Sequence, residues 1–151
     1  MTSFDEIIDI ALVKVNDYKI MKAYNQSQDV FKQYCDGFLI NAIPNFFQCK
    51  QSLDYNVDKR KFISDLTNVE ISILADFWVI EWFNREIQNS TKINALLQTS
   101  GSFKTHAASQ NLKEKGAYID TLREKVYQKI TDYLLQDINI NYLKKEWWFV
   151  T

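Results

Sequence analysis

Glycine and proline are nearly missing from this chain, with three glycines and one proline among 151 residues. β-Sandwiches and barrels need many tight turns, and such turns draw on these two residue types. Their scarcity argues against a turn-rich β fold and favours helices. Histidine is scarcer still, and His106 stands alone. A zinc centre needs cysteine or carboxylate partners at ligand spacing, and none lies nearby. No Gly-x-Ser-x-Gly nucleophile elbow is present. His106 therefore receives no catalytic or metal role, and no cofactor is implied. The two cysteines, Cys35 and Cys49, do not form a Cys-x-x-Cys pair. They read as two free thiols in a reducing compartment.

An excess of one charge is lacking too, since 18 basic and 19 acidic residues leave a net charge of −1. No global field draws nucleic acid or an anionic membrane to such a surface. The apolar runs are short and broken by charge, so no membrane span is expected. Met1–Glu6 has neither a basic start nor a long apolar stretch, which speaks against a signal peptide and for a cytoplasmic site of synthesis.

Apolar residues are plentiful. They make up 46% of the chain, enough for a packed core and too many for a disordered chain. The length fits about one domain. Aromatic residues, at 15%, supply large surfaces for burial or contact.

The first helix starts at a capping box, Ser3-Phe4-Asp5-Glu6, in which a hydroxyl precedes a carboxylate by three residues. Ile7, Ile8, Ala11, Leu12 and Val15 follow at helical spacing, and Asn16-Asp17 ends the run. Residues 18–24 read as a short helical linker. A second helix begins after Ser27, with Val30, Phe31, Tyr34, Phe38, Leu39, Ala42 and Ile43 as its apolar stripe. Pro44 should stop it, because the residue before proline avoids the α region. Gly37 costs this helix about 1 kcal/mol relative to alanine and suggests close approach of a neighbour.

Residues 45–64 are irregular and suit a loop or a short hairpin around Asp58-Lys59-Arg60-Lys61. Thr67-Asn68-Val69-Glu70 is a second capping box. The helix behind it, Thr67–Gln88, is apolar almost all round, so partners should surround it. Some of Phe77, Ile80, Phe83 and Ile87 would need cover from the irregular segment or from another subunit. Residues 89–109 read as a fraying or broken helix and a polar turn. A last helix, Ala107–Gln136, carries Leu112, Ile119, Leu122, Val126, Ile130, Tyr133 and Leu134 on one face and charge on the other. Alternation in Ile138–Tyr142 looks strand-like. Trp147-Trp148-Phe149-Val150 then places four apolar groups in a row, and solvating them costs about 25 cal/mol per Å².

The expected fold is thus mainly α, a small bundle of about four helices. It has a long C-terminal helix, an irregular middle segment and an extended aromatic tail. Residues 1–137 form the helical domain and 138–151 the docking tail.

Candidate chemistry is sparse. Asp76 and Glu81 interrupt the central helix but lie about 140° apart around it, so they do not share a face. They read as a wet strip, with Glu81 paired to Arg85. Thr99-Ser100-Gly101-Ser102 lacks the spacing of a phosphate-binding loop and reads as a linker. Lys59, Arg60 and Lys61 are candidate subunit or loop contacts. Tyr142, Leu143, Trp147, Trp148 and Phe149 form the candidate partner interface, because aromatic residues anchor interfaces.

The second half, from about Leu66 to Leu135, resembles the small helical head–tail connector proteins of tailed bacteriophages, also called neck or head-completion adaptors. Leu66–Ala75 is similar to the acidic-capped start of their main helix. Trp82 resembles an aromatic that recurs in its second half. Ser102-Phe103-Lys104-Thr105-His106-Ala107-Ala108-Ser109-Gln110-Asn111-Leu112 is similar to their Phe-Lys, then Ser-Gln-Ala-Asn-His-Leu lead into the last helix. This chain departs there, with a shifted order and no final histidine.

The resemblance implies a virion structural protein without enzymatic activity. It would form a homo-oligomeric ring, commonly twelvefold, in the neck between capsid and tail. Its partners would be copies of itself, the portal protein and a stopper or tail-completion protein. Packaged DNA would pass through without being read, and no membrane would be involved. The rival reading is a small helical regulatory or inhibitor protein that binds a single host partner.

Overall fold

The structure, a computed structural model, describes the backbone of residues 1–15, 27–98 and 105–149. Side chains are described over 1–15, 27–89 and 113–136. Among these residues the chain forms α1 (Phe4–Val15), α2 (Gln28–Ala42), a 3-10 turn (Ile43–Asn45), β1 (Tyr55–Asn56), β2 (Lys61–Phe62), α3 (Asn68–Gln98) and α4 (Thr105–Phe149). It is a small helical bundle with a long C-terminal helix.

Helix α1 begins at the expected capping box. The Ser3 amide donates to Glu6 Oε2 (3.0 Å), and the Glu6 amide donates to Ser3 Oγ (3.4 Å). Phe4, Ile7, Ile8, Ala11 and Val15 are buried, at spacings that keep one face inward. Ser27 caps α2 by position only, with extended backbone and no side-chain hydrogen bond. Cys35, Phe38, Leu39 and Ala42 form the buried face of α2, while Val30 stays exposed. Pro44 stops the α-helix as expected and sits at the start of the 3-10 turn, where its missing N–H costs nothing. Gly37 makes no close approach, because a Cβ built there would meet nothing within 4 Å.

The irregular middle segment contains a short hairpin. β1 and β2 pair antiparallel, with Tyr55 opposite Phe62 and Asn56 opposite Lys61. The chain start lies along the other edge of β2. Phe62 N donates to Thr2 O (2.7 Å), and Phe4 N donates to Arg60 O (2.9 Å). Phe4, Tyr55 and Phe62 meet edge to face and fasten the hairpin to α1.

Helix α3 is the centre of the molecule and packs against α1, α2 and α4. Every residue from Ile73 to Ile80 is buried. The cover comes from the chain itself. Phe77 and Ile80 are buried, and Phe83 and Ile87 pack against the core at partial exposure.

α3 also runs on to Gln98. No glycine or proline interrupts residues 89–98, and extending an existing helix needs only one residue ordered per hydrogen bond. The same argument corrects the extended tail. Residues 138–142 alternate like a strand, yet α4 continues as helix through Phe149. No glycine or proline follows Gly116, and Leu143-Lys144-Lys145-Glu146 are good helix formers. A five-residue alternation with no strand beside it loses to propagation.

Candidate functional site

Residues Tyr142, Leu143, Trp147, Trp148 and Phe149 all lie on the last turns of α4. Their side chains are outside the described residues, as are residues 16–26, residues 99–104 and the side chain of His106. The backbone of this candidate interface is helical through Phe149.

Lys59, Arg60 and Lys61 do not form one basic patch. Lys59 and Lys61 are exposed on the hairpin. Arg60 turns inward and grips the buried Asp36 on α2 with two bonds, Nε to Oδ2 (2.7 Å) and Nη2 to Oδ1 (2.8 Å). Its Nη2 also donates to Asp5 Oδ1 on α1 (2.9 Å). These bonds, that to Asp36 foremost, hold the guanidinium more firmly charged than usual. The grip requires an unusual backbone: Arg60 has φ 52°, the left-handed region a side chain normally avoids. Arg60 thus ties the hairpin to α1 and α2.

Asp76 is not part of a wet strip. It is buried, and it pairs with Lys14 of α1 and with Lys129 Nζ of α4 (2.6 Å). Lys129 also donates to Ser72 Oγ (3.0 Å). The expected Glu81–Arg85 pair is replaced by other contacts. Glu81 accepts from Asn45 Nδ2 (3.1 Å), and the Arg85 guanidinium lies over the Phe38 ring at 5.7 Å.

Glu70 is the centre of the densest polar cluster. Its capping box closes as expected, with the Thr67 amide donating to Oε1 (2.8 Å). Only 1% exposed, it also collects donors from distant parts of the chain. Gln51 Nε2 donates to Oε1 (2.6 Å), while the Cys49 thiol (3.1 Å) and the Tyr133 hydroxyl (2.8 Å) donate to Oε2. Burial alone would raise its pKa. The four donors outweigh burial and hold the carboxylate down at about 2.

Tyr133 is in turn held by Lys50. The Lys50 amide donates to the Tyr133 hydroxyl (2.8 Å), and its ammonium donates to the Tyr133 carbonyl (3.2 Å) and lies over the ring. Phe46 meets the same ring edge to face. A capping box was legible in the sequence. Its long-range partners were not, because Cys49, Gln51 and Tyr133 have no fixed spacing from Glu70.

None of these clusters is poised for covalent chemistry. Both cysteines are free, as expected. Burial, then the Asp36 charge, pushes the Cys35 thiol up to about 12. Burial, then the bond to Glu70, pushes Cys49 up to about 11. Both stay protonated at neutral pH, so neither offers a thiolate nucleophile. Among the described residues, no group of three or more histidine, cysteine or acidic side chains could hold a metal ion.

Two surface clefts stand out among the described residues. One, about 290 Å³, lies between α1 and α2 and includes Asp9, Lys32 and the already paired Arg60. The other, about 360 Å³, lies between α2 and α3 and is lined mainly by polar side chains such as Asn41, Asn84 and Gln88. The first cleft brings Asp5, Asp9 and Lys32 beside Cys35, whose thiol stays protonated, and the second is lined by no thiol or hydroxyl side chain. Among the described residues, no helix is long and apolar enough to cross a membrane. Compared with known proteins, the chain matches no family model, no curated protein and no solved structure.

Proposed function

We propose that this chain is a virion structural protein of a tailed bacteriophage, a head–tail connector that joins the portal to the neck or tail. It works through protein–protein contacts and carries no catalytic site. Copies assemble as a ring, twelvefold by the resemblance, and leave a passage for DNA. A net charge of −1 suits a channel that must not grip what slides through it.

The observation that carries this reading, beside the resemblance of residues 66–135, is the length of α4. Its 45 residues span about 67 Å at 1.5 Å per residue. Its last buried residue among those described is Tyr133, and Leu134 and Leu135 are already substantially exposed. The helix then continues to Phe149 with the aromatic end. An arm ending in Trp147-Trp148-Phe149 suits docking on a portal or on a neighbouring copy.

Electron cryomicroscopy of phage particles tests the reading directly. The expected result is density for this chain as a ring between portal and tail. Its absence from virions would overturn the proposal. Deleting residues 147–151 is expected to leave the bundle folded by circular dichroism and to abolish assembly with the portal.

A further inference from the structure

The pairing of α3 with α4 is antiparallel, and polar groups mark it at two levels. Glu70 meets Tyr133, and Asp76 together with Ser72 meets Lys129. Further along, Phe83 meets Tyr118 edge to face at 5.1 Å. Both acids are buried on α3, and both partners come from one turn of α4. The rest of the contact is an apolar stripe in which Ile119, Val126, Ile130 and Tyr133 are buried.

A stripe of that kind repeats every seven residues, so apolar contact does not specify register alone. Sliding α4 by seven residues one way brings Val126, Tyr133, Asp137 and Ile140 to those four positions. Sliding it the other way brings Leu112, Ile119, Arg123 and Val126. In each case three of the four remain apolar, and the fourth carries a charge to the buried site of Ile130. In each case, too, Tyr133 and Lys129 leave their acids by about 10 Å along the helix axis. Glu70 would then lose its hydroxyl donor and Asp76 one of its two lysines.

We infer that the Tyr133–Glu70 and Lys129–Asp76 pairs are the register lock of α4. They choose one sliding position of the long helix and so set where its C-terminal turns stand relative to α3. The Tyr133–Glu70 pair is buried and the Lys129–Asp76 pair buries only its acid; selecting register is the best attested use of buried polar groups. Lys50 completes the lock from the middle segment, because it binds the hydroxyl, the carbonyl and the ring of Tyr133 together. The inference does not depend on the connector reading, since register is a property of the isolated chain.

The test measures the distance between spin labels on cysteines placed at Asn68 of α3 and Gln128 of α4, both exposed. The background is the full chain with Cys49→Ser, which keeps a donor towards Glu70; Cys35, fully buried, stays. The parent should show one narrow distance. The Lys129→Met, Tyr133→Phe double variant, with helix content unchanged, should show a second population displaced by about 10 Å. A single undisplaced distance in that folded variant would overturn the inference, because the apolar stripe would then specify register alone. If the double variant does not fold, Tyr133→Phe alone is read the same way. A smaller displaced population supports the lock, and an undisplaced single distance overturns it.

Discussion

Between Ile73 and Ile80 every residue of α3 is buried, whereas from Arg123 to Ile130 of α4 only Val126 and Ile130 are. The two helices are joined along one seam but face different surroundings. Over residues 73–80 α3 has protein on all sides, so those side chains act on stability. Over its described side chains α4 has protein on one side, and the rest of that surface faces water. Buried acids follow the same division. Glu70 and Asp76 sit on α3 and draw partners from α1, α4 and the middle segment, while the described acids of α4, Asp120 and Glu124 among them, stay in water.

The largest break in this contrast is expected at Trp78. It is fully buried, its Nε1 donates to the Cys35 carbonyl (2.9 Å), and Phe38 meets its ring. Trp78→Ala should cost about 3–5 kcal/mol in denaturant unfolding. Tyr127→Ala, at an exposed site on α4, should change stability by about 0.5 kcal/mol or less. Similar losses at both sites would erase the distinction between the two helices.

Glu70 sharpens the contrast through pH. Its folded pKa of about 2 lies below the ordinary value of 4.5. The stability it contributes is therefore fully present above about pH 4.5 and is lost as pH falls towards 2. The shift corresponds to about 3 kcal/mol. In Glu70→Gln this part of the acid dependence should vanish, so the difference between parent and variant stability should shrink across that window. Parallel stability curves from pH 6 to 2 would show that the carboxylate is not held as described.

Arg60 tests the hairpin side of the bundle. Arg60→Ala strands the buried Asp36 and should cost about 2–3 kcal/mol, at the low end for a buried pair because Arg60 is partly exposed. Arg60→Gly loses the same bonds but relieves the left-handed backbone, and should be less damaging by about 1 kcal/mol. Equal losses in the two variants would mean that the backbone carries no strain there. A small effect of opposite sign is expected at Gly37, where an added Cβ meets open space. Gly37→Ala should raise stability by about 0.5–1 kcal/mol in thermal or denaturant unfolding.

Local rules were legible in the sequence wherever the answer lay within a few residues. Both capping boxes, the stop at Pro44 and the all-round burial of the central helix follow from neighbours in the chain. Two readings failed where a local pattern competed with propagation. The break expected after Gln88 and the strand expected at Ile138–Tyr142 both gave way to continuous helix. The polar partners failed for another reason. Asp76 was visible as an odd acid in an apolar helix, but its lysines come from α1 and α4, 62 and 53 positions away. Arg60 looked like one cation in a run of three. Only the meeting of hairpin, α1 and α2 shows that it serves Asp36 and Asp5.

The sequence by itself determined that this chain is helical, that its centre is the segment after Thr67, and that its last helix is one-sided. Those properties rest on hydrophobic period, capping chemistry and the lack of glycine and proline, all of which act over a turn or two. The tertiary structure alone decided which buried acid meets which donor, how Arg60 is spent, and that α3 is covered within one chain. These outcomes depend on residues brought together by packing, and an ion pair or a hydrogen bond has no preferred separation along the chain.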